Sequence, residues 1–164
     1  MKKWDDKKAR LFELSKAADV PKLKDGDYIN LVAGVVKCAK ETNVNISMGG
    51  IKAFGSLAKG LRDKFATFGK ENISILFQKF KERRLVEDIH VALQNILLGI
   101  PIQELMESIQ TGLKDKAPAI KLNVAIFVEK TVLVTYIDTL EEIQSELCAA
   151  AKAVGDEKDN NVRE

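Results

Sequence analysis

The sequence predicts an all-α fold in which antiparallel helix pairs repeat along the chain. Apolar residues recur at three- and four-residue spacing through most of the 164 residues, which is typical of helices with one buried face. The polar breaks that precede every second helix recur at a nearly constant interval. Residues 130–137 have the β-branched content of a strand, but a lone strand has no pairing partner, so a helix end and a break are predicted there.

The first three helices are predicted from their start and stop residues. The first runs from Lys7 and ends before Pro21, because the residue preceding a proline is pushed out of helical dihedral angles. Asp27 is the expected N-cap of the second helix, and Asn43 or Asn45 starts the third. The inward-facing positions expected in the second and third helices are Tyr28, Leu31, Val32, Val35, Val36, Ala39, Met48, Ile51, Phe54, Leu57, Ala58 and Leu61.

The remaining helices follow the same pattern of apolar faces. The fourth is expected from about Glu71 and the fifth from about Val86. Pro101 and Pro118 stand where a first-turn proline belongs, so the sixth and seventh helices are expected to begin there, the seventh with Leu122, Ile126 and Phe127 inside. A final helix is expected from about Leu140.

The helix pairs repeat with a period of about 40 residues, which is typical of HEAT or armadillo solenoids. The residues aligned by this repeat are Lys7, Asn45, Glu87, Lys121 and Arg163. In such a stack, the breaks inside the pairs lie along one edge, however far apart they are in sequence. The breaks expected in this row are Trp4, Thr42-Asn43, Arg84, Lys116 and Asp159-Asn160.

The composition indicates a single soluble globular domain over residues 1–164, with 46% hydrophobic and 30% charged residues. A net charge of +2 is too small for sequence-independent nucleic-acid binding. The longest apolar runs fall far short of the roughly 20 residues of a membrane span, and the N-terminus has no apolar core of a secretory signal. Cys38 and Cys148 lie in apolar segments as reduced core residues, so a cytoplasmic, monomeric domain is predicted.

Catalytic residues are scarce in this sequence. His90 is the only histidine, and it lies among apolar residues with no partners for a catalytic triad or a zinc site. The glycine-containing stretches do not match a phosphate-binding loop. The sequence therefore predicts a protein that is not an enzyme and needs no cofactor or metal.

The row of breaks allows a binding interpretation beside a structural one. Trp4 is flanked by charged residues, so its indole either folds back over the first helix or anchors a partner. In the structural interpretation, Thr42 and Asn43 are helix caps, and Lys116 and its neighbouring lysines form solvated surface. An aromatic anchor with cations along one ridge, ending at Arg163, suits a large acidic protein partner.

Several stretches of the sequence, most of them around these breaks, resemble those of a known family. These are "KKWDDKKARLFELSK", "PKLKDGDY", "KETNVNISMGGIKAFGSLAKGLRDKF" and "FQKFKERR", followed more weakly by "GLKDKAPAIK" and "DEKDNNVRE". Together they resemble a TOG domain of the ch-TOG/Mini spindles family of microtubule polymerases, and most closely the second TOG domain of that array. The resemblance implies an arch of HEAT helix pairs whose loops bind the curved αβ-tubulin heterodimer.

The resemblance also implies roles for individual residues. Trp4 matches a first-loop tryptophan that contacts β-tubulin, and Arg163 matches a fifth-loop arginine that reaches α-tubulin. The second loop is matched by Thr42, Asn43 and Val44, and the fourth by Lys116 and Lys121. The implied location is the cytoskeleton, at microtubule plus ends and at the spindle or centrosome.

The sequence departs from the family pattern in three respects. Against a complete domain of six helix pairs, the first helix and the last one and a half pairs are expected to be missing. The "KNP" of the family's fourth loop is Lys116-Ala117-Pro118 here, and the third loop, "ERRLVED", is acidic as well as basic.

Two other functions stay open from the sequence. One is a HEAT-repeat scaffold that binds a different protein through its grooved face, for which variants in the row of loops should be silent. The other is a DNA glycosylase of the HEAT-like kind, which needs a cationic groove, an aromatic pocket and a catalytic carboxylate, and which the small net charge disfavours.

Overall fold

The computed structural model describes residues 3–132, with side chains from residue 4. The helices in this range are α1 (Lys3–Ala18), α2 (Ile29–Lys40), α3 (Val44–Leu61), α4 (Ala66–Lys79), α5 (Val86–Ile96), α6 (Met106–Leu113) and α7 (Pro118–Val132). Short 3-10 helices span Arg62–Phe65, Arg83–Leu85 and Ile102–Leu105. The chain divides into two compact units, Met1–Pro101 and Ile102–Glu164.

The first unit is built around α3, which packs against α1, α2 and α5. The hydroxyl of Ser47 in α3 donates a 2.7 Å hydrogen bond to the carbonyl oxygen of Ala39 near the end of α2, so these two helices form an antiparallel pair. Between α1 and α3, Ser15 faces Ser56 with 3.4 Å between their hydroxyl oxygens. α4 and α5 form the next pair in the chain.

Two glycines let the helices of the first unit approach closely. A Cβ added at Gly50 would lie 2.4 Å from the backbone nitrogen of Ala39, so only glycine allows α3 to sit this near α2. A Cβ at Gly55 would lie 2.9 Å from Cα of Ala92 in α5. The close spacing buries the large side chains between the helices, among them Phe54, Phe65, Phe80, Ile51, Leu57 and Leu93.

The connections between successive helix pairs are joined to one another at the far ends of the helices. The backbone N–H of Leu23 donates a 2.8 Å hydrogen bond to the carbonyl oxygen of Gly60. Lys59 pairs with Asp19 at 2.6 Å, and Lys64 pairs with Asp25. These contacts fix the connection between α1 and α2 against the end of α3.

Several predicted helix boundaries are confirmed. Residues 3–132 contain helices and no strand, α5 begins at Val86, and α7 begins at Pro118. Asn43 is the N-cap of α3, where its side-chain oxygen accepts from the N–H groups of Asn45 and Ile46 at 3.0 and 3.4 Å. The N-cap of α2 is Tyr28 and not Asp27 as predicted, although Oδ1 of Asp27 accepts a 2.9 Å hydrogen bond from the N–H of Ile29.

Other boundaries were predicted wrongly, for identifiable physical reasons. α1 begins at Lys3, so Trp4 lies in its first turn and not in a break before it. α4 begins at Ala66 and not near Glu71, because Gly69 lies within the helix at the point where Ile100 packs against it. After Pro101 the chain first makes a 3-10 turn, and α6 begins only at Met106.

Some positions predicted to face inward are not buried. The exposed fraction of Leu31 is 38%, and Met48, Leu122 and Ile126 are half-buried, whereas the other expected positions in α3 are buried. Expectations for residues 133–164, including the final helix, Cys148 and Arg163, lie outside the described residues.

The second unit contains the helix pair α6 and α7. Its core includes Leu105, Ile109, Ile120, Val124 and Phe127. The buried polar side chains of Asn123 and Thr131 donate to the carbonyl oxygens of Ala119 and Phe127, four residues earlier in the same helix. The loop of this pair, residues 114–117, contains Lys116, and Lys121 lies in the first turn of α7.

Candidate partner-binding edge

The loop between α2 and α3 presents two exposed polar side chains on a well-defined backbone. Thr42 and Asn43 are exposed, and Val44 begins α3 half-buried. Asn43 has extended backbone angles, φ −68° and ψ 111°, and its side chain caps the helix. The cap fixes the direction in which the loop enters α3, so the exposed groups of the loop have a defined orientation.

A single lysine, Lys7, connects the indole of Trp4 to this loop. Trp4 is 49% exposed, so it does not fold back into the core. The Nζ atom of Lys7 lies 5.7 Å from the centroid of the Trp4 ring and 2.8 Å from Oε1 of Glu41, the residue that ends α2. The first turns of α1 therefore contact the loop between α2 and α3.

The connection between α4 and α5 meets the same loop from the other side. The Nζ atom of Lys79, the last residue of α4, donates to the carbonyl oxygens of Lys40 and Glu41 at 3.3 and 2.7 Å. Lys81, Arg83 and Arg84 follow and are exposed. We call this surface the loop edge: Trp4, Lys7, residues 40–44 and residues 79–84. The first three predicted breaks thus lie together in the first unit.

The predicted lysines of the second unit lie around the start of α7. Lys116 is exposed in the loop, and Lys121 is half-buried in the first turn of α7. Oδ1 of Asp115 accepts a 2.9 Å hydrogen bond from the N–H of Ala117, which orders the loop just before Pro118. Arg163 and Asp159-Asn160 lie outside the described residues.

Sequence reasoning missed the residues that tie the loop edge together, namely Lys7, Glu41 and Lys79. The repeat period indicates only their spacing along the chain and not which groups meet. The bonded pairs Lys7–Glu41 and Lys79–Glu41 are separated by 34 and 38 residues, and Lys59–Asp19 by 40. Lys7–Glu41 and Lys59–Asp19 are ion pairs, whereas Lys79 donates to the backbone carbonyl oxygen of Glu41, so each lysine contacts a group about one repeat away on a neighbouring helix pair.

A groove between α1 and α3 offers a second surface. Its volume is about 530 Å³, and it is lined by Phe12, Met48 and Gly49 together with polar residues of both helices. Phe12 is 57% exposed, with Nζ of Lys16 at 4.4 Å from its ring centroid. Lys52 at the groove pairs with Asp88 of α5 at 3.4 Å. An apolar floor with paired charges at its border suits a peptide or helix of another protein.

His90 lies in the interior of α5. It is 9% exposed, and its ring centroid lies 5.1 Å from that of Phe80. Within residues 4–132, no three potential metal ligands cluster. None of the helices in the described part of the chain is both long and apolar enough to cross a bilayer.

Comparison with known sequences identifies relatives over about three quarters of the chain. The spindle pole body component alp14 of Schizosaccharomyces pombe is 31% identical over 122 residues, which are 73% of this chain and 15% of the relative. Protein mini spindles of Drosophila melanogaster is 32% identical over 133 residues, which are 79% of this chain and 6% of the relative. The chain thus spans a small part of these relatives. No family model matches it.

Solved structures give the fold. One, described as the structural basis of microtubule plus end tracking by XMAP215, CLIP-170 and EB1, superposes with a TM-score of 0.90 at 29% identity, over 99% of this chain and 70% of that one. Another concerns tubulin recruitment and assembly by microtubule polymerases with TOG domain arrays. Its TM-score is 0.84 at 20% identity, over 99% of this chain and 36% of that one.

The stacked helix pairs, the tied loops and these superpositions define a HEAT-repeat α-solenoid of the TOG-domain class. The sequence relatives identify the family within that class. This stretch of chain carries a TOG domain of the ch-TOG/Mini spindles family, as the quoted loop sequences predicted.

Proposed function

We propose that this domain binds the αβ-tubulin heterodimer through its loop edge and catalyses no reaction. The observation that carries the proposal is the exposed indole of Trp4 beside the capped loop at Thr42 and Asn43, joined to it by Lys7 and Glu41. A large aromatic side chain held at an exposed edge supplies the desolvated anchor that protein interfaces use. The tubulin recruitment described for a structural neighbour supports this choice of partner.

Each predicted residue has a proposed physical role in tubulin binding. Trp4 buries its ring against tubulin, while Thr42 and Asn43 offer a hydroxyl and an amide to the same partner, with Val44 below them. Lys116, Lys121 and Arg163 supply positive charge toward acidic tubulin. Such charges raise the association rate more than the affinity, and added salt reduces their effect.

The binding would report the conformation of tubulin. A rigid edge that fits the curved heterodimer binds it with a lower free energy than the straight one, so tubulin is released as the lattice straightens. We propose that the domain acts in this way as part of a microtubule plus-end regulator. The names of the relatives, which refer to spindles and spindle pole bodies, support a location at the cytoskeleton.

Gel filtration with soluble αβ-tubulin tests the proposal with a matched pair of variants. Trp4→Ala should weaken co-elution by about thirtyfold in Kd, the size of a loss of about 2 kcal/mol at an interface anchor. Phe12→Ala removes another exposed aromatic ring from α1, away from the loop edge, and should leave Kd unchanged. Arg163→Glu should weaken binding and make it less dependent on salt. Unchanged binding by Trp4→Ala would reject Trp4 as the anchor.

The groove between α1 and α3 supports a second candidate, a scaffold for another protein. If that function is the true one, the pair of variants gives the opposite result: Trp4→Ala is silent, and Phe12→Ala weakens capture of the partner. The apolar floor of the groove at Phe12 and Met48 is the feature that supports this candidate function.

A further inference from the structure

We propose that Lys7 is a positioning residue, which holds the Trp4 indole in the orientation that tubulin requires, and that Glu41 in turn sets the place of Lys7. This inference rests on the proposed function. The ammonium of Lys7 contacts both groups at once, the ring at 5.7 Å from its centroid and the carboxylate at 2.8 Å. An exposed tryptophan has several side-chain rotamers available, and a cation over one face favours the rotamer that brings the ring to it.

Glu41 is the fixed end of this chain of contacts. Its backbone N–H donates to the carbonyl oxygen of Cys38 at 3.2 Å, and its own carbonyl oxygen accepts from Lys79 at 2.7 Å. Its carboxylate therefore projects from a backbone that α2 and α4 both hold. Lys7 therefore makes the position of the Trp4 ring depend on the loop between α2 and α3 as well as on α1.

These contacts contribute to orientation more than to stability. The side chains of Lys7 and Glu41 are 37% and 31% exposed, and ion pairs at such sites add little to the free energy of unfolding. An indole already oriented for binding loses less conformational freedom when tubulin docks. Removal of the ion pair should therefore be visible in binding while the fold is unaffected.

Glu41→Gln separates positioning from direct contact. The variant leaves the Lys7 ammonium available to tubulin and removes a negative charge from the edge that meets an acidic partner. Simple charge attraction then predicts tighter binding. Positioning predicts weaker binding, because Lys7 loses the group that holds it beside the ring.

The only tryptophan of the chain provides an independent readout, because its fluorescence reports Trp4 alone. In the free protein, Lys7→Gln and Glu41→Gln should both increase quenching of Trp4 by acrylamide. Both should raise the Kd for tubulin by about three- to fivefold, the effect of losing one exposed cation–π contact. Lys7→Arg should restore both properties, since a guanidinium can occupy the same place.

Lys16→Gln is the matched control, because it removes the same charge from the same helix and from above another ring, that of Phe12. It should change neither quenching of Trp4 nor Kd. Wild-type quenching in Lys7→Gln, or wild-type or tighter tubulin binding by Glu41→Gln, would overturn the positioning role. If Trp4→Ala itself binds tubulin normally, the proposed site fails, a result distinct from failure of Lys7→Gln alone.

Discussion

Gly50 of α3 lies against Ala39 of α2 so closely that a side chain at position 50 would overlap the Ala39 backbone nitrogen. The Ser47–Ala39 hydrogen bond lies one turn earlier in α3, so the two helices are in contact right up to the loop that ends α2. The exposed residues of that loop therefore follow a helix contact that is too close for a side chain at position 50. Their geometry depends on a glycine that no partner touches.

Gly50→Ala should lower the free energy of unfolding by about 2 kcal/mol, because the added methyl group has only backbone atoms to displace. Gly34→Ala is the matched control in the neighbouring helix α2, where an added Cβ has no atom within 4 Å. It should stabilise the protein by about 1 kcal/mol through helix propensity. Urea unfolding followed by far-UV circular dichroism measures both, and equal effects of the two changes would contradict this packing.

Arg62→Gly should stabilise the protein by about 1 kcal/mol. Arg62 is the only non-glycine residue with positive φ among residues 3–132, at φ 55° and ψ −126°. Such angles strain a residue that has a Cβ, and relief of the strain outweighs the greater freedom of glycine in the unfolded chain. Arg62→Ala removes the same side chain but keeps the strain. If it raises the unfolding midpoint as much as Arg62→Gly does, the backbone is not the cause.

Asn43 should show separable capping and binding roles. Asn43→Ala removes the cap of α3 and should cost about 1 kcal/mol of stability. Asn43→Asp retains an oxygen acceptor for the N–H groups of Asn45 and Ile46, so the thermal midpoint should stay near that of the parent. Its new negative charge and lost amide should still weaken tubulin binding. If Asn43→Asp binds tubulin with the parental affinity, Asn43 acts only as a helix cap.

Between neutral and alkaline pH, the environment of Trp4 should change only as Lys7 loses its proton. The hydrogen bond to Glu41 raises the pKa of Lys7 above the ordinary lysine value of 10.5. Because the folded pKa is raised, the contribution of the ion pair is complete below the ordinary value and is lost as pH rises through the folded pKa. Acrylamide quenching of Trp4 should stay flat at neutral pH and rise above 10.5.

The Lys7→Gln variant serves as the reference for that titration, since tyrosines and general unfolding also respond to alkaline pH. Its quenching should be high throughout and lack the step that depends on Lys7. A step of equal size in parent and variant would show that another group is responsible.

The sequence was sufficient to predict the helical repeat and the break at Thr42 and Asn43, because both follow from local rules. Asn43 caps α3 and Val86 begins α5, as the spacing of polar and apolar residues indicated. The start of α4 was predicted wrongly because Gly69 weakens a helix in isolation, whereas here it lies within the helix and packs against the side chain of Ile100.

The contacts around Glu41 could not be predicted by the same rules. Lys7 and Lys79 reach Glu41 from the preceding and following helix pairs, across 34 and 38 residues of chain. Which charges meet at that distance depends on the rotation and spacing of packed helices. Those are set by side-chain volumes in the core and by glycines such as Gly50, and a linear pattern does not contain them.

The asymmetry of α1 has a consequence for how the proposed tubulin binding is lost. α1 packs chiefly on α3, whereas α3 is also held by α2 and α5. A helix with one main neighbour can open locally at a smaller free-energy cost than the whole fold, so its amide protons should exchange with solvent first. Trp4 detaches with it. Mild heat or denaturant should therefore abolish tubulin binding while most of the helicity survives. Circular dichroism alone would then report a folded protein that no longer binds tubulin.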